Sequence, residues 1–486
     1  MIYRAQLGRA EALLGALLEL SGPADATVSR YFRAHRGLGQ RDRAFVAETV
    51  YGVLRRLRSL EAAAGSRDPR ALVIAALVRL QGLSARALAD VLRADEAELV
   101  ARIRQARSEA FPAAVRADLP DWLWDRLVAE QGEEHAGAIA QGLLDPAPLH
   151  LRVNLARTDR ESVLAALGQG GLRAAAARFS PAGIRLQGKP AINRDPLFTQ
   201  GLIEVQDEGS QLLAYLLAPR RGEMVADFCA GAGGKTLALA MLMRGAGRVY
   251  AMDVAAKRLA ALAPRAARAG VSNVHPVVLS GEGDVRAKRL AGKLDRVLVD
   301  APCSGFGTLR RNPDLKWRHG PDAIARLVEQ QFRILRAAAH LVKPGGRLVY
   351  ATCSILEAEN EGVAARFAAE AGADFRPLHC GELLAAQRIA LDTGERLRLW
   401  PHRHGTDGFF AAAFERRWRS SCPSIWHLPR SRIPASSVAS GGSARATEAA
   451  SRIRAGIART VGTLAADYEG QPESANLADS GIEPGF

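Results

Sequence analysis

The chain has 486 residues, a formal charge of +15 at pH 7 and a composition that is 48% hydrophobic. This length excludes a single ordinary core, so we expect two to four domains, and the apolar fraction is large enough to bury several cores. The positive charge favours a polyanionic partner, because phosphate contacts release condensed counterions. An arginine-rich genome would give the same composition, so composition alone does not decide between these explanations.

The cysteines are sparse and odd in number: Cys229, Cys303, Cys353, Cys380 and Cys422. Such a set is not a disulfide framework, and no Cys-x-x-Cys pair offers the spacing of a zinc site, so we expect reduced thiols and no metal. The N-terminus carries early charges at Arg4 and Arg9 and lacks a signal-peptide cleavage site. No uncharged apolar stretch is long enough to cross a bilayer. We therefore expect a cytoplasmic protein with no membrane partner.

Residues 1–130 are predicted to be all-helical. Apolar positions recur three and four residues apart, as between Phe45 and Leu54, and Gly22-Pro23, Gly37-Leu38-Gly39 and Gly65-Ser66 separate the helices. This block is basic through a set of residues that either meet phosphates or form the solvated face of a bundle: Arg33, His35, Arg36, Arg41, Arg43, Arg55, Arg56 and Arg58. For any single arginine the solvated face is favoured.

Residues 131–200 are predicted to form a small α+β module. Residues 149–154 alternate in polarity like a strand, residues 159–167 have the pattern of a helix, and residues 183–186 again resemble a strand. The module differs from the helical block before it because strand patterns flank its helical pattern. We therefore place a domain boundary on each side of it.

Residues 201–418 are predicted to form a mostly parallel, doubly wound α/β domain. Short apolar strand patterns at 224–227, 248–251, 296–300 and 347–350 alternate with helical stretches. Sheets of this class bind ligands beyond the carboxyl ends of their strands. After Trp418 the periodicity fails, and residues 419–486 are rich in Ser, Ala, Pro and Gly, so we expect a disordered or low-complexity tail there.

The first candidate site is a glycine-rich turn, Asp227-Phe228-Cys229-Ala230-Gly231-Ala232-Gly233-Gly234-Lys235-Thr236, between a predicted strand and a predicted helix. Its glycines let the backbone approach a ligand closely, and the helix N-terminus exposes N–H groups. A Walker loop is excluded, because its first glycine would stand where Cys229 is. Asp253, at the end of the next strand, can accept hydrogen bonds from both ribose hydroxyls. Together they fit an adenosine ligand, either NAD or S-adenosylmethionine.

Two further candidate sites also follow predicted strands. Asp300-Ala301-Pro302-Cys303-Ser304 and Thr352-Cys353-Ser354 each place a cysteine just beyond a strand end. Asp300 can hold the exocyclic amine or ring nitrogen of a cytosine, and the basic and aromatic residues at 310–318 suit phosphates and bases. Isolated cysteines are usually small buried hydrophobic residues. Two cysteines at adjacent strand ends beside an adenosine pocket indicate chemistry instead.

Three acids follow the second cysteine motif, Glu357, Glu359 and Glu361. Acidic side chains in such a segment are typical of the solvated side of a helix. We expect this exposed position for at least two of the three.

These motifs resemble the RsmB (Sun/Fmu) family of RNA 5-methylcytosine methyltransferases. The matching pieces are CAGAGGKT, DAPCSGFGTLRRNPDLKW, YATCSILEAENE and DGFFAAAFER, and LFTQGLIEVQDEGSQL looks like the family's entry into its catalytic domain. The resemblance covers roughly residues 145–418, and the pairing of Pro-Cys-Ser with Thr-Cys-Ser is highly specific. LGQRDRAFVAETVYGVLRR resembles the NusB-like RNA-binding domain that marks the RsmB branch.

The resemblance implies a Rossmann-like class I methyltransferase domain, preceded by an all-α NusB-like domain and the small module, that methylates RNA from S-adenosylmethionine. The implied substrate is small-subunit ribosomal RNA, with transfer RNA as the alternative. By resemblance Cys353 adds to carbon 6 of cytosine and Cys303 helps remove the carbon 5 proton, while Asp300 holds the pyrimidine edge with Lys235 as charge partner. The implied cofactor contacts are Cys229, Ala230, Gly231, Ala232, Gly233, Gly234, Lys235, Asp253, Asp284 and Asp300.

The chain departs from the family pattern at two places. Gly231-Ala232 stands where the family commonly has Ala-Pro, which loosens the turn and keeps its glycines. The third acidic cofactor contact falls on Glu282 or Asp284, and we select Asp284.

Other classes of protein fit the motifs less well. DNA 5-methylcytosine enzymes use the Pro-Cys cysteine as nucleophile and lack Thr-Cys-Ser. Amino-directed methyltransferases carry Asn/Asp-Pro-Pro-Tyr where this chain has Asp-Ala-Pro-Cys. A non-catalytic NusB-like RNA-binding factor would not need Cys353 and Asp300, and a nicotinamide dehydrogenase would leave both cysteines without a function.

Overall fold

The computed structural model describes residues 3–188 and 190–418. The predicted tail at 419–486, with Cys422, lies outside the described residues. Within those two ranges no helix is both long and apolar enough to cross a membrane. The same ranges contain no group of three or more His, Cys, Asp or Glu residues that could hold a metal ion.

The N-terminal block is helical, as its apolar periodicity predicts. Buried apolar side chains from Leu7 to Ile103 form one hydrophobic core. The predicted glycine breaks fall between helices, and Asp68 caps the helix that starts at Pro69 by accepting from the backbone N–H groups of Arg70 and Ala71. The helices of this block are α1 (Arg4–Leu18), α2 (Ala24–Ala34), α3 (Gln40–Arg55), α4 (Leu57–Ala64), α5 (Pro69–Arg79), α6 (Ala85–Leu88) and α7 (Glu96–Gln105).

After the short helix α8 (Ala113–Arg116), two helices bury a different core: α9 (Asp121–Gln131) and α10 (Glu133–Leu144). Leu123 of α9 and Ile139 of α10 share their hydrophobic cluster with Phe306, Ile355 and Trp400, far along the chain. This core spans both sides of residue 130, so the sequence-derived domain boundaries stay a prediction.

The small module contains the predicted strands and helix: β1 (Leu149–Val153), α11 (Arg160–Gln169), β2 (Ala174–Ala176), β3 (Gly183–Leu186), α12 (Pro196–Thr199) and β4 (Ile203–Val205). Its antiparallel sheet has the order β2-β3-β1-β4. Leu151 of β1 lies opposite Ile184 of β3 and Val205 of β4. Their inward side chains cover α11 and form the module's own core.

The second sheet contains the strands β5 (Met224–Asp227), β6 (Arg248–Asp253), β7 (Val274–Val278), β8 (Leu294–Asp300), β9 (Val342–Thr352), β10 (Phe375–Leu378), β11 (Leu397–Leu399) and β12 (Phe409–Arg416). Its strand order is β10-β12-β9-β8-β5-β6-β7, and β11 also pairs with β12. The strands β9, β8, β5, β6 and β7 are parallel to one another, whereas β12 pairs antiparallel with β9, β10 and β11. This arrangement confirms the predicted doubly wound class.

Helices pack on this sheet through two hydrophobic clusters. Pro321 starts the longest of these helices, where its missing N–H costs no hydrogen bond. The helices of this domain are α13 (Glu208–Leu217), α14 (Gly234–Leu242), α15 (Ala256–Ala260), α16 (Leu262–Ala269), α17 (Val285–Lys288), α18 (Leu315–Arg318), α19 (Pro321–Ala339), α20 (Val363–Ala371), α21 (Cys380–Ala385) and α22 (Pro401–His404).

Candidate active site

The strand order places a crevice at the carboxyl ends of β5 and β8. From β5 the chain proceeds to β6 and β7 on one side, and the next strands, β8 and β9, lie on the other side. Such a reversal opens a ligand site between the loops that leave the two central strands. Asp227 ends β5 and Asp300 ends β8, so both carboxylates border this crevice.

The glycine-rich turn after β5 has the conformation that only glycine adopts freely. Gly231 and Gly233 have φ angles of +55° and +86°. A Cβ atom at Gly231 would lie 2.7 Å from Nη2 of Arg258, and one at Gly233 would overlap Leu262. Because α14 starts at Gly234, its first N–H groups border the same turn. Substituting Gly for the family's Ala at 231 therefore suits the left-handed backbone seen here.

Two arginines outside the motif hold this turn in place. Arg265 of α16 donates from Nη1 to the carbonyl oxygen of Ala232 at 2.7 Å. Arg152 of β1 donates from Nη1 to the carbonyl oxygen of Gly234 at 2.8 Å and also to Gln206. Burial lowers the pKa of Arg152 to about 10. The small module thus takes part in building the cofactor turn, which the sequence did not reveal.

Asp253 lies at the end of β6, as predicted, and is 9% exposed. Its Oδ2 accepts from the N–H of Gly231 and its Oδ1 from the N–H of Ala255, both at 2.7 Å. A carboxylate oxygen has more than one lone pair, so each can also accept from a ribose hydroxyl. A hydrogen bond from the glycine-rich turn therefore fixes the position of Asp253, the residue predicted to contact the ribose.

Asp227 is a site residue that the sequence analysis left without a role. Its Oδ2 accepts from Oγ1 of Thr236 at 2.7 Å, while its buried Oδ1 has no hydrogen-bond partner among the described residues. Burial raises its pKa to about 7. A buried acceptor without a partner costs free energy unless a ligand donates to it. Together with the turn and Asp253, this acceptor fits a cofactor that carries both a ribose and an ammonium group.

The predicted third acidic contact, Asp284, has its acceptor capacity occupied. Its Oδ1 caps α17 at the N–H of Arg286, and its Oδ2 accepts from the N–H and the hydroxyl of Ser280. The guanidinium of Arg286 also donates to both oxygens, and this hydrogen bond is the main reason why the pKa of Asp284 lies far below its usual value. Glu282, the other acid considered, pairs with Arg333 at 2.9 Å. Cofactor contact by Asp284 stays a prediction.

Lys235 and Asp300 form an ion pair in the crevice, with Nζ and Oδ2 2.7 Å apart. Burial opposes the charge of Lys235, but the charge of Asp300 and the hydrogen bond to it raise the pKa of the lysine, and Cys353 acts in the same direction. The ammonium also lies 5.6 Å from the ring centroid of Phe409, an attractive cation–π arrangement. The lysine is therefore held as a cation beside the second cysteine loop.

The two cysteine motifs leave adjacent strands side by side. In the parallel pairing of β8 with β9, Asp300 lies opposite Ala351, and the N–H of Ala301 donates to the Ala351 carbonyl at 2.9 Å. Cys303 and Cys353 follow those positions by three and two residues, and their Sγ atoms are 3.4 Å apart. The expectation that both cysteines share one site agrees with this distance.

The environment of the thiols differs from cysteine to cysteine. The hydrogen bond with Cys353 and then burial raise the pKa of Cys303 well above its ordinary value, and the charge of Glu359 adds to this effect. Burial raises the pKa of Cys229 as well, with the charges of Asp227 and the other nearby acids contributing. Cys229 therefore contributes a protonated, uncharged thiol to the glycine-rich turn.

The loop that follows Cys303 contacts both the Cys353 loop and the DGFF motif through its backbone. The N–H of Gly307 donates to the carbonyl oxygen of Cys353 at 2.8 Å. The N–H of Gly408 donates to the carbonyl oxygen of Gly307 at the same distance. A Cβ atom at Gly307 would overlap the carbonyl group of Gly408. Side-chain-free backbone at these positions is therefore required for the loops to meet.

Glu359 contradicts the interpretation of the three acids as exposed. It is fully buried, and it accepts from the N–H of Ser304 at 2.8 Å and from the hydroxyls of Ser304 and Ser354 at 2.6 and 2.5 Å. Glu357 and Glu361 are partly buried and contact Gln131 and Arg398. The prediction that at least two are exposed is wrong, because the π-helical turn Ala358–Gly362 directs Glu359 into the interior and its neighbours pack against other segments.

The segment after Cys303 also contacts the helical block. Lys316 donates from Nζ to the carbonyl oxygen of Arg55 at 2.8 Å, and Trp317 donates from Nε1 to that of Leu54 at 2.7 Å. These carbonyls lie at the C-terminal end of α3, where they lack helical partners. Burial lowers the pKa of Lys316 to about 7. The basic and aromatic residues at 316 and 317 therefore join two parts of the protein rather than lying free for bases.

Family comparisons agree with this geometry. The profile described as 16S rRNA methyltransferase RsmB/F matches residues 214–415. A second profile, the ferredoxin-like domain of RsmF/B-like methyltransferases, matches residues 119–193. The two matches together cover the crevice, both cysteine loops and most of the small module.

Individual relatives extend the similarity toward the N-terminus. The probable ribosomal RNA small subunit methyltransferase B of Synechocystis sp. is 33% identical over 425 residues, covering 80% of this chain and 94% of that protein. The Bacillus subtilis protein of the same name is 34% identical over 334 residues, covering 67% and 73%. The crystal structure of PH0851 superposes with a TM-score of 0.70 at 27% identity, covering 85% of this chain and 99% of that one. The chain therefore belongs to the RsmB/F family of S-adenosylmethionine-dependent 16S rRNA methyltransferases.

Proposed function

We propose that this enzyme methylates carbon 5 of a cytosine in small-subunit ribosomal RNA through a covalent bond between Cys353 and the base. The observation that carries the proposal is the pair of thiols 3.4 Å apart beside the Lys235–Asp300 ion pair. An amino-directed methyltransferase has no use for two adjacent thiols. A non-catalytic RNA-binding factor would have no use for them either.

The chemistry requires a nucleophile because carbon 5 of cytosine is itself a poor one. Addition of the Cys353 thiolate to carbon 6 turns the ring into an enamine, whose carbon 5 can accept a methyl group. Lys235 lies near Cys353, whose charge helps to raise the pKa of the lysine. Asp300 accepts from the exocyclic amine or shares a proton with the ring nitrogen, which stabilises the charge that develops on the pyrimidine.

The cofactor S-adenosylmethionine supplies an electrophilic methyl group when it is bound. The turn from Cys229 to Gly234 would receive it, with Asp253 accepting from the ribose and Asp227 from the ammonium group. Arg152 and Arg265 keep the turn in the shape that this binding needs.

The second thiol has a separate task after methyl transfer. The largest cause of the raised pKa of Cys303 is Cys353 itself. Once Cys353 is bound to carbon 6 it no longer carries a proton or a charge, so Cys303 becomes easier to ionise. This happens at the step that needs a base to take the carbon 5 proton. Loss of that proton restores the ring by expelling the Cys353 thiolate.

The proposal also gives a role to each of the other domains and a location to the protein. The helical block, residues 1–130, is a NusB-like RNA-binding domain, the module at 131–200 joins it to the methyltransferase domain at 201–418, and the protein works in the cytoplasm. Exposed arginines in α2, α3 and the turn between them support contact with phosphates.

Replacing Cys303 by alanine tests the division of labour between the thiols. Cys303→Ala should still form the bond to carbon 6 but should not release the product, so a covalent protein–RNA complex should accumulate and resist denaturation. The Cys303→Ala/Cys353→Ala double variant should form no such complex. Denaturing gel electrophoresis with labelled RNA measures both. Accumulation in Cys353→Ala instead would reverse the two roles.

A further inference from the structure

Glu359 connects the two cysteine loops by hydrogen bonds to a residue of each. Its Oε2 accepts from the hydroxyls of Ser304 and Ser354, which are themselves 3.2 Å apart. Its Oε1 accepts from the N–H of Ser304 and from Nε2 of Gln331 at 2.9 Å. Ser304 directly follows Cys303 and Ser354 directly follows Cys353. One fully buried carboxylate therefore contacts both residues that follow the thiols.

We propose that Glu359 is a positioning residue that sets the spacing of the two thiols through Ser304 and Ser354. The inference rests on the proposed two-thiol reaction and adds a residue to it that touches neither substrate nor cofactor. The serine of Pro-Cys-Ser and the serine of Thr-Cys-Ser then have one common purpose. Each presents its hydroxyl to the same buried carboxylate, so neither loop can shift without breaking a charge-assisted hydrogen bond.

The negative charge of Glu359 also contributes to the pKa of Cys303. A buried carboxylate without a buried cation would be costly, and here hydrogen-bond donors from Ser304, Ser354 and Gln331 offset that cost. Its charge raises the pKa of Cys303, whereas the cation of Lys235 interacts with Cys353. Glu359 thus adds to the raised pKa of Cys303, which arises first from the hydrogen bond with Cys353 and from burial.

The surrounding residues reinforce this arrangement. Tyr350 of β9 donates its hydroxyl to the carbonyl oxygen of Glu359 at 2.5 Å. Asn360 accepts from the hydroxyl of Thr352 at 2.5 Å and donates to the carbonyl oxygen of Ser354 at 3.1 Å. The segment around Glu359 is therefore fixed to the end of β9 on both sides of Cys353.

The charge and the hydrogen bonds of Glu359 can be separated by substitution. In Glu359→Gln the amide can donate to the two serine hydroxyls, so the volume and most contacts persist while the negative charge is lost. Made in a Cys353→Ala background, this variant should lower the pH midpoint for alkylation of Cys303 by iodoacetamide by about one unit or more. Mass spectrometry of the Cys303 peptide gives the rate at each pH. Glu361→Gln, which removes an equal charge two residues away beside Arg398, should leave the midpoint unchanged.

The serines test positioning without a change of charge. With Cys303 and Cys353 intact, Ser304→Ala/Ser354→Ala should reduce kcat at least about tenfold, the effect of misplacing reacting groups, while KM and cofactor affinity stay near normal. In the Cys353→Ala background the same serine pair should keep the alkylation midpoint, because the carboxylate remains. Glu361→Gln again serves as the control for kcat.

The outcomes separate this inference from the proposed function. An unchanged midpoint in Glu359→Gln, or full turnover in the serine variant, would overturn the role of Glu359 and leave the two-thiol reaction untouched. If Glu359→Gln does not fold, the serine variant alone decides whether positioning holds. Failure of the two-thiol reaction would appear elsewhere, as methylation by Cys353→Ala.

Discussion

The helical block and the methyltransferase domain bury polar groups in opposite ways. In the block Arg70 and Glu96 pair with each other, and the buried Asp118 accepts from the N–H and the hydroxyl of Ser59. In the methyltransferase domain Asp227, Thr352 and Glu359 are buried polar side chains at or just beyond the carboxyl ends of parallel strands. The free energy cost of burial is offset locally in the first region. In the second, the unpaired Oδ1 of Asp227 leaves part of that cost for a ligand to offset.

This difference predicts where substitutions change chemistry and where they change association. Side chains at the strand ends should affect turnover or cofactor affinity with little effect on the fold. Surface arginines of the helical block should affect RNA binding with little effect on chemistry. Three experiments test this contrast, in order of decreasing expected effect.

Cys353→Ala should reduce methylation by at least about 10³-fold, because the variant lacks the proposed nucleophile. Cofactor affinity, measured by calorimetry, should stay the same. Cys380→Ala is the matched control, since that thiol is fully buried in a hydrophobic cluster and its Sγ contacts the carbonyl oxygen of Ala411. Substantial turnover in Cys353→Ala would show that the thiol is not the nucleophile.

Asp253→Ala should weaken S-adenosylmethionine by about 1–3 kcal/mol, the cost of leaving ribose hydroxyls and the N–H of Gly231 unpaired. Asp284→Ala should weaken it less, because both oxygens of that carboxylate already serve Ser280 and Arg286. Calorimetry on the two variants ranks the two acids. Equal losses would restore Asp284 as a cofactor contact, and no loss in Asp253→Ala would move the ribose contact elsewhere.

The smallest effect is expected in the helical block. Replacing Arg33, Arg36 and Arg41, all exposed, by glutamine should reduce the slope of log affinity for RNA against log salt by about two units, roughly 0.7–0.9 for each lost phosphate contact. Methylation at saturating RNA should be unchanged. An identical slope in the triple variant would assign these arginines to the solvated surface of the bundle.

The sequence predicted those features whose signal is local. Strand ends, glycine turns and the cysteine motifs are each read within about ten residues, so β5, the turn after it and the pairing of Cys303 with Cys353 were all accessible. Contacts between distant segments were not. Arg152 reaches the turn from another sheet, and Glu359 differs from Glu357 and Glu361 only in the direction that a short turn gives it.

The contact of Lys316 and Trp317 with the end of α3 limits how this protein can be recombined. The loop that carries Cys303 continues into a segment whose hydrogen-bond acceptors belong to the helical block. A chimaera that exchanges the block for one from a relative must therefore preserve the backbone at Leu54 and Arg55, or exchange residues 314–318 with it. A graft whose backbone departs from that of Leu54 and Arg55 would leave the Lys316 amine and the indole N–H of Trp317 without these acceptors. The helical block and the segment after Cys303 are therefore best exchanged together.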